Sequence, residues 1–310
     1  MKRLSYTLLV LGVISPSLGY AEDLGEAFTS ITRATPWVEV SQHEVGFPTF
    51  HPQGFAKTGE DLFVSSVEII ERTERYESPR DGMDRSAGKG KGHLFKMSAD
   101  GKLIAKAELG EGDIYHPGGI DYDGRWLWVP VAEYRPNSNS IIYRVDPATL
   151  EAEEVLRVAD HIGGIVRDPD SNTLHGVSWG SRRFYTWTLD AEMKPTNADQ
   201  PPEALRTDNP SFYVDYQDCA FAGAGQMLCS GVAEHRPDPS KPKWALGGLD
   251  LVDLKEGRPV RQVPVLLWSP TGESMTRNPV HIEPTEGGLR GFFMPDDDHS
   301  VLYVYEAKPN

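Results

Sequence analysis

The sequence predicts an all-β fold, a five-bladed β-propeller, from three observations. Five segments of the chain follow one pattern of short strands, and they begin at residues 51, 116, 161, 217 and 278. Repeats of this length, with four short strands each, are typical of propeller blades. No segment of useful length has the periodicity of an amphipathic helix. Six blades is the alternative if one of the longer copies contains a further repeat.

The first strand of each copy opens with a polar residue, usually carries a small residue three positions later, and continues with an apolar residue. The five copies are His51-Pro-Gln-Gly-Phe, His116-Pro-Gly-Gly-Ile, His161-Ile-Gly-Gly-Ile, Gln217-Asp-Cys-Ala-Phe and Asn278-Pro-Val-His-Ile. The first strand of a propeller blade lines the central channel, so the five opening residues are expected at one end of that channel.

A second and a third strand follow in every copy. The second strands begin at Leu62, Leu127, Leu174, Leu228 and Leu289. The third strands alternate with period two, and they begin at Leu94, Ile142, Phe184, Leu249 and Leu302. Asp100-Gly101 and Asp146-Pro147 mark turns after two of them. Fourth strands are predicted over residues 103–107, 152–156 and 260–264.

The last copy stops after its third strand, at Tyr305, and the N-terminal segment contains an unpaired strand. This strand runs from Trp37 to Val45, outside the five copies. Pairing it with the last copy would complete the fifth blade and remove an exposed sheet edge. We therefore expect the N-terminal strand to close the ring.

The first 21 residues have the composition of a cleavable signal peptide. Lys2 and Arg3 form a short basic region, and an apolar stretch and a small-residue site that ends at Ala21 follow it. The apolar stretch is too short to span a bilayer as a helix. We expect a signal peptide over residues 1–21 and a single β-propeller domain over residues 22–310. Cleavage near Ala21 would leave a periplasmic or secreted protein.

The chain is acidic, which bears on the partners it can have. Its formal net charge is −15, and it becomes −17 when the two positive charges of residues 1–21 are removed. An acidic chain without basic tracts is unsuited to nucleic acids and anionic membranes. We expect neither as a partner, and a small polar or anionic molecule instead. The sequence does not specify the oligomeric state.

Two cysteines, Cys219 and Cys229, flank the small-residue segment 222–225, which has the composition of a hairpin turn. Directly opposed residues in an antiparallel pair can meet the geometry of a disulfide, and an oxidising compartment would preserve it. We predict a disulfide between them; two buried thiols are the alternative.

Polar residues repeat at one mouth of the predicted channel. The residue that opens strand one and the residue that closes strand two are 17 positions apart in three copies: His51/Glu68, His116/Glu133 and Gln217/Glu234. Because these strands are antiparallel neighbours, both positions are expected at the same end. The same mouth gathers the opening residues of the other two copies and an arginine from each of two similar loops: His161, Asn278, Arg135 and Arg236.

This ring of side chains predicts a ligand site, and two chemistries are compatible with it. One is hydrolysis assisted by a divalent metal (Zn, Mn, Fe or Ca), for which the predicted ligands are His51, His116, His161 and Glu68. The other is metal-free acid–base catalysis. The predicted catalytic residues are His116, Glu133 and Glu234. The predicted substrate-binding residues are Arg135, Arg236, Gln217 and Asn278.

The same residues also admit a non-catalytic interpretation. A ring of His, Gln and Asn at a wet channel mouth can hydrogen-bond ordered water, and Glu–Arg pairs can fix loops. The charged loop from Glu71 to Lys91 leaves this end of the first copy, and it is predicted either as a solvent-facing loop or as a lid. A propeller that only binds a ligand or a protein is therefore the alternative to an enzyme.

Three motifs carry a resemblance to known proteins: His51-Pro-Gln-Gly-Phe, Tyr115-His-Pro-Gly-Gly-Ile-Asp and Pro279-Val-His-Ile-Glu-Pro. They resemble a family of secreted bacterial β-propeller proteins of unassigned function, over essentially the whole mature chain. More loosely, the architecture is similar to that of propeller lactonases, gluconolactonase-like hydrolases that hold a metal at the channel mouth through Glu, Asn and Asp.

The likeness to lactonases implies the location of a site and not its reaction. The nearest matches in residue type are Glu68, Glu133, Asn278 and Asp218, and the three histidines depart from that pattern. Together with the polar mouth, this favours a periplasmic, metal-assisted hydrolase of lactonase or esterase type, or a lyase, that acts on a small polar substrate.

Overall fold

The computed structural model describes residues 23–211, 213–238 and 240–309, and most of their strands form five large sheets. Five clusters of buried apolar side chains each lie between two neighbouring sheets, and one of them joins the last sheet to the first. Five sheets joined in this way form a closed ring, so the predicted five-bladed propeller is confirmed.

The blades are numbered in the order of their first strands. Blade 1 contains His51–Thr58, Asp61–Glu71, Lys89–Ser98 and Leu103–Leu109. Blade 2 contains Ile114–Pro117, Asp121–Tyr122, Leu127–Glu133, Ser140–Val145 and Ala152–Val158. Blade 3 contains Ile162–Asp168, Thr173–Ser178, Arg183–Thr188 and Arg206–Asp208. Blade 4 contains Asp215–Gly223, Gln226–His235, Trp244–Asp253 and Arg258–Val265. Blade 5 contains Val280–Thr285, Gly288–Phe293, Val301–Ala307 and the N-terminal strand Trp37–Glu44.

Further elements lie outside the blades: the helices Leu24–Thr29 and Pro202–Leu205, the 3₁₀ turn Trp179–Ser181, and a hairpin of Arg75–Arg80 with Met83–Arg85. The first helix begins after Asp23, whose carboxylate accepts a 2.8 Å hydrogen bond from the backbone N–H of Gly25. Phe28 of this helix is fully buried against side chains of blades 4 and 5. The sequence did not predict the helix, because its six residues are too few to show a helical period.

The N-terminal strand completes blade 5, as predicted. It runs antiparallel to the last strand, with Trp37 opposite Ala307 and Glu44 opposite Val301. The ring of Trp37 also packs edge-on against Phe293, with 5.7 Å between centroids. Because an early strand pairs with the last one, backbone hydrogen bonds join the two ends of the ring.

Small residues let the first strands approach one another at the centre of the ring. A Cβ atom on Gly54 would lie 2.6 Å from the backbone oxygen of Gly118, and one on Gly118 would lie 2.2 Å from that of Gly163. Real Cβ atoms do not approach backbone so closely. Gly54 and Gly118 are therefore required by the close packing of neighbouring backbones.

Cys219 and Cys229 lie directly opposite each other in blade 4 and form a disulfide, which confirms the predicted pairing. The strands that carry them are joined through Ala224 and Gly225, which have φ values of 48° and 69°. Two-residue hairpin turns need such left-handed conformations.

The signal peptide predicted over residues 1–21 lies outside the described residues. Across the described ranges, no helix is both long enough and apolar enough to cross a membrane. The disulfide is of the kind that forms and persists in oxidising compartments.

Candidate functional site

Three histidines stand side by side at one mouth of the channel. His51 begins the first strand of blade 1, His116 lies within that of blade 2, and His161 directly precedes that of blade 3. The ring centroids are 6.3 Å apart for His51 and His116, and 6.2 Å apart for His116 and His161. They line a cavity of about 350 Å³, which we call the axial cavity. Its wall also includes Gln53, Tyr134, Trp179, Gln217, Arg277 and Asn278.

The imidazole of His116 is buried in the middle of this group. It stacks on Tyr134, with 4.3 Å between ring centroids. Its Nε2 atom is buried and has no hydrogen-bond partner among the described residues. Burial, with the neighbouring His161 and His51, holds the pKa of His116 well below its usual value, so the ring is neutral near pH 7. An unpartnered nitrogen on a cavity wall is a position where a ligand or a water molecule is expected to bind.

His161 presents a lone pair to the axial cavity. Its Nδ1 atom lies 2.8 Å from the backbone carbonyl oxygen of Glu133. Because a carbonyl only accepts, Nδ1 carries the proton, and Nε2, which lies beside Gly163, is a hydrogen-bond acceptor. Trp179 packs edge-on against the ring at 4.8 Å. Burial lowers the pKa of His161 to about 4, so this ring is also neutral near pH 7.

His51 is held by hydrogen bonds at both ring nitrogens. Its Nδ1 lies 2.8 Å from Oδ1 of Asp297, and the amide of Gln53 donates to Nε2 at 2.8 Å. Asp297 also accepts from the amide of Asn278 at 2.9 Å and pairs with Arg277 at 3.3 Å. Burial alone would raise the pKa of Asp297, but the hydrogen bond from His51, the charge of Arg277 and the hydrogen bond from Asn278 hold it below its usual value. The result is a carboxylate–imidazole pair, an arrangement that orients histidine for acid–base chemistry.

Two of the predicted substrate-binding residues, Asn278 and Gln217, lie on the wall of the axial cavity. Asn278 is fully buried; its amide nitrogen donates to the carbonyl of Pro295 at 3.0 Å, while its Oδ1 has no partner among the described residues. The amide of Gln217 makes one long contact, 3.4 Å from the carbonyl of Asp215. Both side chains therefore retain hydrogen-bonding capacity for a ligand.

The structure does not bring Glu68 and Glu133 to the axial cavity. In the strand register, Val67 lies opposite His51, and Ala132 lies opposite His116. Each of these residues comes directly before the glutamate of its own strand. Because successive side chains of a strand point to opposite faces, each glutamate is directed away from the face of its histidine. The spacing of 17 residues thus places each pair at one end of the channel but on different faces of the sheet.

Both glutamates are engaged in pairs that fix the surrounding chain. Glu133 is buried, and it accepts hydrogen bonds from Arg135 and, at 2.7 Å, from Asn139. Glu68 lies 3.2 Å from Nε2 of His93. Glu133 and Arg135, predicted as a catalytic and a substrate-binding residue, are therefore paired with each other outside the axial cavity.

The remaining two predicted residues, Glu234 and Arg236, lie at and beyond the edge of the cavity. Glu234 contributes to the wall, but it is half exposed and accepts two hydrogen bonds from Lys243, at 2.6 and 2.7 Å. Arg236 belongs to an exposed loop and lines a separate surface depression beside Trp244. The structure does not place Arg236 on the wall of the axial cavity.

The predicted metal ligands are not arranged as a coordination site. Both nitrogens of His51 are occupied, and Glu68 is paired with His93. His116 and His161 each present one nitrogen, fewer than a metal requires. Within the parts of the chain that the structure describes, no group of three or more His, Cys, Asp or Glu side chains is placed to hold a metal ion. The residues present therefore do not fit a metal in this arrangement.

The model of one protein family matches residues 10–309 of the chain. The chain belongs to DUF6454, a family of unknown function. Membership confirms the resemblance to a propeller family of unassigned function that the motifs indicated. It brings no activity with it, and no curated protein matches the chain.

Solved structures show what this DUF6454 chain is similar to in fold. A hypothetical protein from Leishmania major has a TM-score of 0.51 at 11% identity, over 87% of this chain and 91% of that one. The calcium-binding protein regucalcin from Agrobacterium tumefaciens has a TM-score of 0.45 at 14% identity, over 89% and 97%. An α-L-arabinofuranosidase from Fusarium graminearum has a TM-score of 0.46 at 9% identity, over 86% and 98%. The first likeness supports the fold alone, and at these values none transfers a ligand or an activity.

Several residues of the site were not predicted from the sequence: Gln53, Tyr134, Arg277 and Asp297. For two of them a signal existed. Gln53 belongs to the same repeat copy as His51, and Arg277 directly precedes Asn278. The other two lie in connections between strands, and the strand pattern does not encode the course of those connections.

A second cavity, of about 760 Å³, adjoins the axial cavity, and we call it the outer cavity. The two share His51, Tyr134 and Arg277 on their walls. The outer cavity is also lined by Arg72 and Glu68. The predicted metal ligand Glu68 therefore faces this neighbouring space.

The charged loop joins the second and third strands of blade 1, and it contains the hairpin of Arg75–Arg80 and Met83–Arg85. The guanidinium of Arg85 lies 5.1 Å from the ring centre of Trp179 on the wall of the axial cavity. Arg85 is also held by two 2.8 Å hydrogen bonds to the carboxylate of Asp84. The hairpin thus reaches the cavity mouth, and its action as a lid stays a prediction.

Proposed function

We propose that this DUF6454 protein binds a small hydroxylated carboxylate in the axial cavity. The observation that carries the proposal is a pair of buried polar atoms that have no partners among the described residues and belong to residues lining the cavity: Nε2 of His116 and Oδ1 of Asn278. The lone pair on Nε2 of His161 adds an acceptor. A buried polar group without a partner costs ~1–3 kcal/mol, so a ligand whose hydroxyl groups supply the missing hydrogen bonds is stabilised in this cavity.

The positive charge for the carboxylate comes from Arg277. Burial lowers the pKa values of His116 and His161, so these rings supply no charge at neutral pH. Arg277 is partly exposed, and its contacts with Glu273 and Asp297 are 3.4 and 3.3 Å long. Close charge-assisted hydrogen bonds are about 2.7–2.9 Å long, so a ligand carboxylate can offer this guanidinium a better partner.

The size of the axial cavity limits the ligand. Its volume of about 350 Å³ lies near the lower end of the range of ~300–1,000 Å³ that is usual for small-molecule sites. A sugar acid fits such a space, whereas a polymer does not. Tyr134 and Trp179 provide apolar surface against which a sugar ring can pack.

The pair of His51 and Asp297 favours a second candidate function, which is catalysis in the same cavity. The reaction would be hydrolysis of a lactone or ester, or proton abstraction by a lyase. Asp297 fixes the Nδ1–H of His51, so Nε2 is the atom that would accept a proton from water or from a carbon next to the carboxylate. Nε2 must first exchange the amide of Gln53 for the substrate or water. This role falls to His51 because Glu133 is committed to Arg135. No step requires a metal, in keeping with the arrangement of the donors.

We also propose that the protein acts in the periplasm. The Cys219–Cys229 disulfide supports an oxidising compartment, and the composition of residues 1–21 supports export. A hydroxylated carboxylate would then be met outside the cytoplasm. Fractionation of cells that express the full chain, with detection of the protein in periplasmic and cytoplasmic extracts, tests this location.

Isothermal titration calorimetry with D-lactate, D-gluconate and D-glucuronate tests binding. At least one is expected to bind, and His116→Ala should weaken that binding about tenfold, which is the effect of losing one hydrogen bond. His43→Ala is the matched control, because His43 lies on the outermost strand of blade 5. If none of the three acids binds, or if His116→Ala binds as well as the unmodified protein, the proposal is wrong. Thermal unfolding of each variant establishes that the fold is retained.

The second candidate is tested with D-glucono-1,5-lactone, whose hydrolysis releases a proton that a pH-stat records. General-base catalysis by His51 predicts turnover above the spontaneous rate, its loss in His51→Gln and its reduction in Asp297→Asn. Treatment with EDTA should leave the rate unchanged. Binding of the acids without any turnover of the lactone would leave the protein as a non-catalytic receptor for the hydroxylated carboxylate.

A further inference from the structure

We infer that the outer cavity binds a second anionic group of the same ligand, so the ligand carries an oxyanion at the end opposite its hydroxylated carboxylate. The inference rests on the proposed function, since the first carboxylate must lie in the axial cavity for the second to reach the outer one. The second oxyanion is a carboxylate or a phosphate.

Tyr134 marks the junction between the two cavities. Its ring stacks on His116 on the axial side, and its side chain lines both walls. Its hydroxyl makes no hydrogen bond with the described residues. A ligand that extends from the axial cavity past this ring therefore meets a free hydroxyl, which can donate a hydrogen bond to an oxyanion.

Positive charge is concentrated around this hydroxyl. Burial raises the pKa of Tyr134, but the guanidinium groups of Arg85, Arg72 and Arg277 are all close enough to oppose that rise. The carboxylate of Asp297 acts in the other direction. Guanidinium groups therefore predominate among the charges that act on this hydroxyl, which favours an additional negative charge beside it.

Arg72 is the cation of this group that is available to a ligand. Arg85 is paired with Asp84, and Arg277 contacts Asp297. Arg72 is exposed, lines the outer cavity, and makes no hydrogen bond or ion pair with the residues that the structure describes. The planar fork of a guanidinium matches the oxygens of a carboxylate or phosphate, so Arg72 can bind such a group through two hydrogen bonds.

None of the carboxylates on the wall of the outer cavity forms an ion pair with Arg72 in the described structure. Glu68 is paired with His93, and Asp297 with His51. Asp298 is exposed, and in the described structure its side chain forms no ion pair with Arg72. The uncommitted guanidinium therefore faces a space of about 760 Å³ that continues from the axial cavity.

Three probes with the same carbon chain test the inference by isothermal titration calorimetry: D-gluconate, D-glucarate and 6-phospho-D-gluconate. The first has an oxyanion at one end and the others have one at both ends. The two probes with an oxyanion at both ends, or one of them, should bind about tenfold more tightly than D-gluconate, since a charge-assisted pair is worth about one such factor. Preference for D-glucarate would identify the second group as a carboxylate, and preference for 6-phospho-D-gluconate as a phosphate.

Variants at Arg72 locate the effect. Arg72→Ala should abolish the advantage of the probe with two oxyanions and leave the affinity for D-gluconate unchanged, and Arg72→Lys should retain part of the advantage. Arg75→Ala is the matched control, because the side chain of Arg75 is 77% exposed and contacts Asp84 at 3.6 Å in the hairpin.

The results separate the two proposals. If D-gluconate binds and neither probe with two oxyanions binds more tightly, the inference about the outer cavity is wrong while the proposed function stands. The same holds if the advantage persists in Arg72→Ala. If none of these probes binds, the inference is wrong, and the proposed function stands only if D-lactate or D-glucuronate binds.

Discussion

Asp218 accepts a hydrogen bond of 2.7 Å from the backbone N–H of Phe55, 163 residues earlier in the chain. Its other carboxylate oxygen accepts one of 3.1 Å from Ile120. Asp218 belongs to blade 4 and its donors to blades 1 and 2, so a single buried carboxylate joins three blades at the centre of the ring. Asp121 likewise accepts a 3.0 Å hydrogen bond from the backbone of Arg167 in blade 3. Side-chain carboxylates thus connect first strands that do not pair with one another.

Substitution Asp218→Ala should destabilise the fold by at least ~2 kcal/mol, because it leaves the N–H groups of Phe55 and Ile120 buried without partners. The measurement is the free energy of unfolding in urea. Asp100→Ala, which removes a carboxylate from an exposed turn, is the control and should change stability little. Equal stability of the two variants would show that water or rearrangement satisfies the donors at the centre.

Substitution Gly118→Ala should destabilise the fold by ~1–3 kcal/mol, because its Cβ atom would lie 2.2 Å from the backbone oxygen of Gly163. Backbone cannot move aside as a flexible side chain can, so blades 2 and 3 would have to separate. Gly46→Ala is the matched control: its Cβ would lie 3.6 Å from the nearest backbone oxygen. Thermal unfolding of both variants measures the difference, and a Gly118→Ala protein as stable as Gly46→Ala would contradict the role of small residues at the axis.

The fold could be predicted from the sequence because each blade repeats a local pattern. The apolar runs at Leu62 and Leu127, and the turns between them, recur with the spacing of blades, and the unpaired segment at Trp37 completes the count. All of these are short-range features. The helix Leu24–Thr29 escaped prediction because its burial against blades 4 and 5 is a tertiary contact.

The site could be predicted only in part. The opening positions of the first strands correctly brought His51, His116 and His161 together. The orientation of the carboxylates depends on a register difference of one residue, which directs Glu133 toward Arg135. Spacing alone does not resolve such a difference. Asp297 lies 246 residues from its partner His51, so only the closed ring reveals their contact.

The Cys219–Cys229 disulfide should contribute about 2–3 kcal/mol to stability, because it closes a loop with a sequence separation of 10 residues in the unfolded chain. Reduction with dithiothreitol should lower the urea midpoint of the unmodified protein by a corresponding amount. The double variant Cys219→Ala/Cys229→Ala is the control, since reductant should not affect it. A midpoint that does not respond to reductant in the unmodified protein would mean that the disulfide adds nothing to the ring.

Stability should fall as the pH decreases from 7 to 5, in part because His161 stays neutral in the fold. Its pKa is about 4 in the folded state as a result of burial, against ~6.5 in an unfolded chain. Between these values the unfolded state binds a proton that the folded state does not, so acidification favours unfolding. His161 alone should account for a loss of about 1–2 kcal/mol between pH 7 and pH 5.

Other groups titrate in the same range, so the contribution of His161 must be isolated by difference. Burial raises the pKa of Asp250 to about 6, and this carboxyl acts in the opposite direction, since its protonated form is favoured in the fold. The measurement is urea unfolding of the unmodified protein and of His161→Gln, each at pH 7 and pH 5. The other groups contribute equally in both proteins, so their effects cancel in the difference. The variant should lose less stability on acidification than the unmodified protein, whereas His43→Gln should behave like the unmodified protein. Identical pH dependence in all three proteins would mean that the ring of His161 is hydrated and titrates as in water. The cavity would then lack the buried hydrogen-bond acceptor on which binding of a hydroxylated ligand depends.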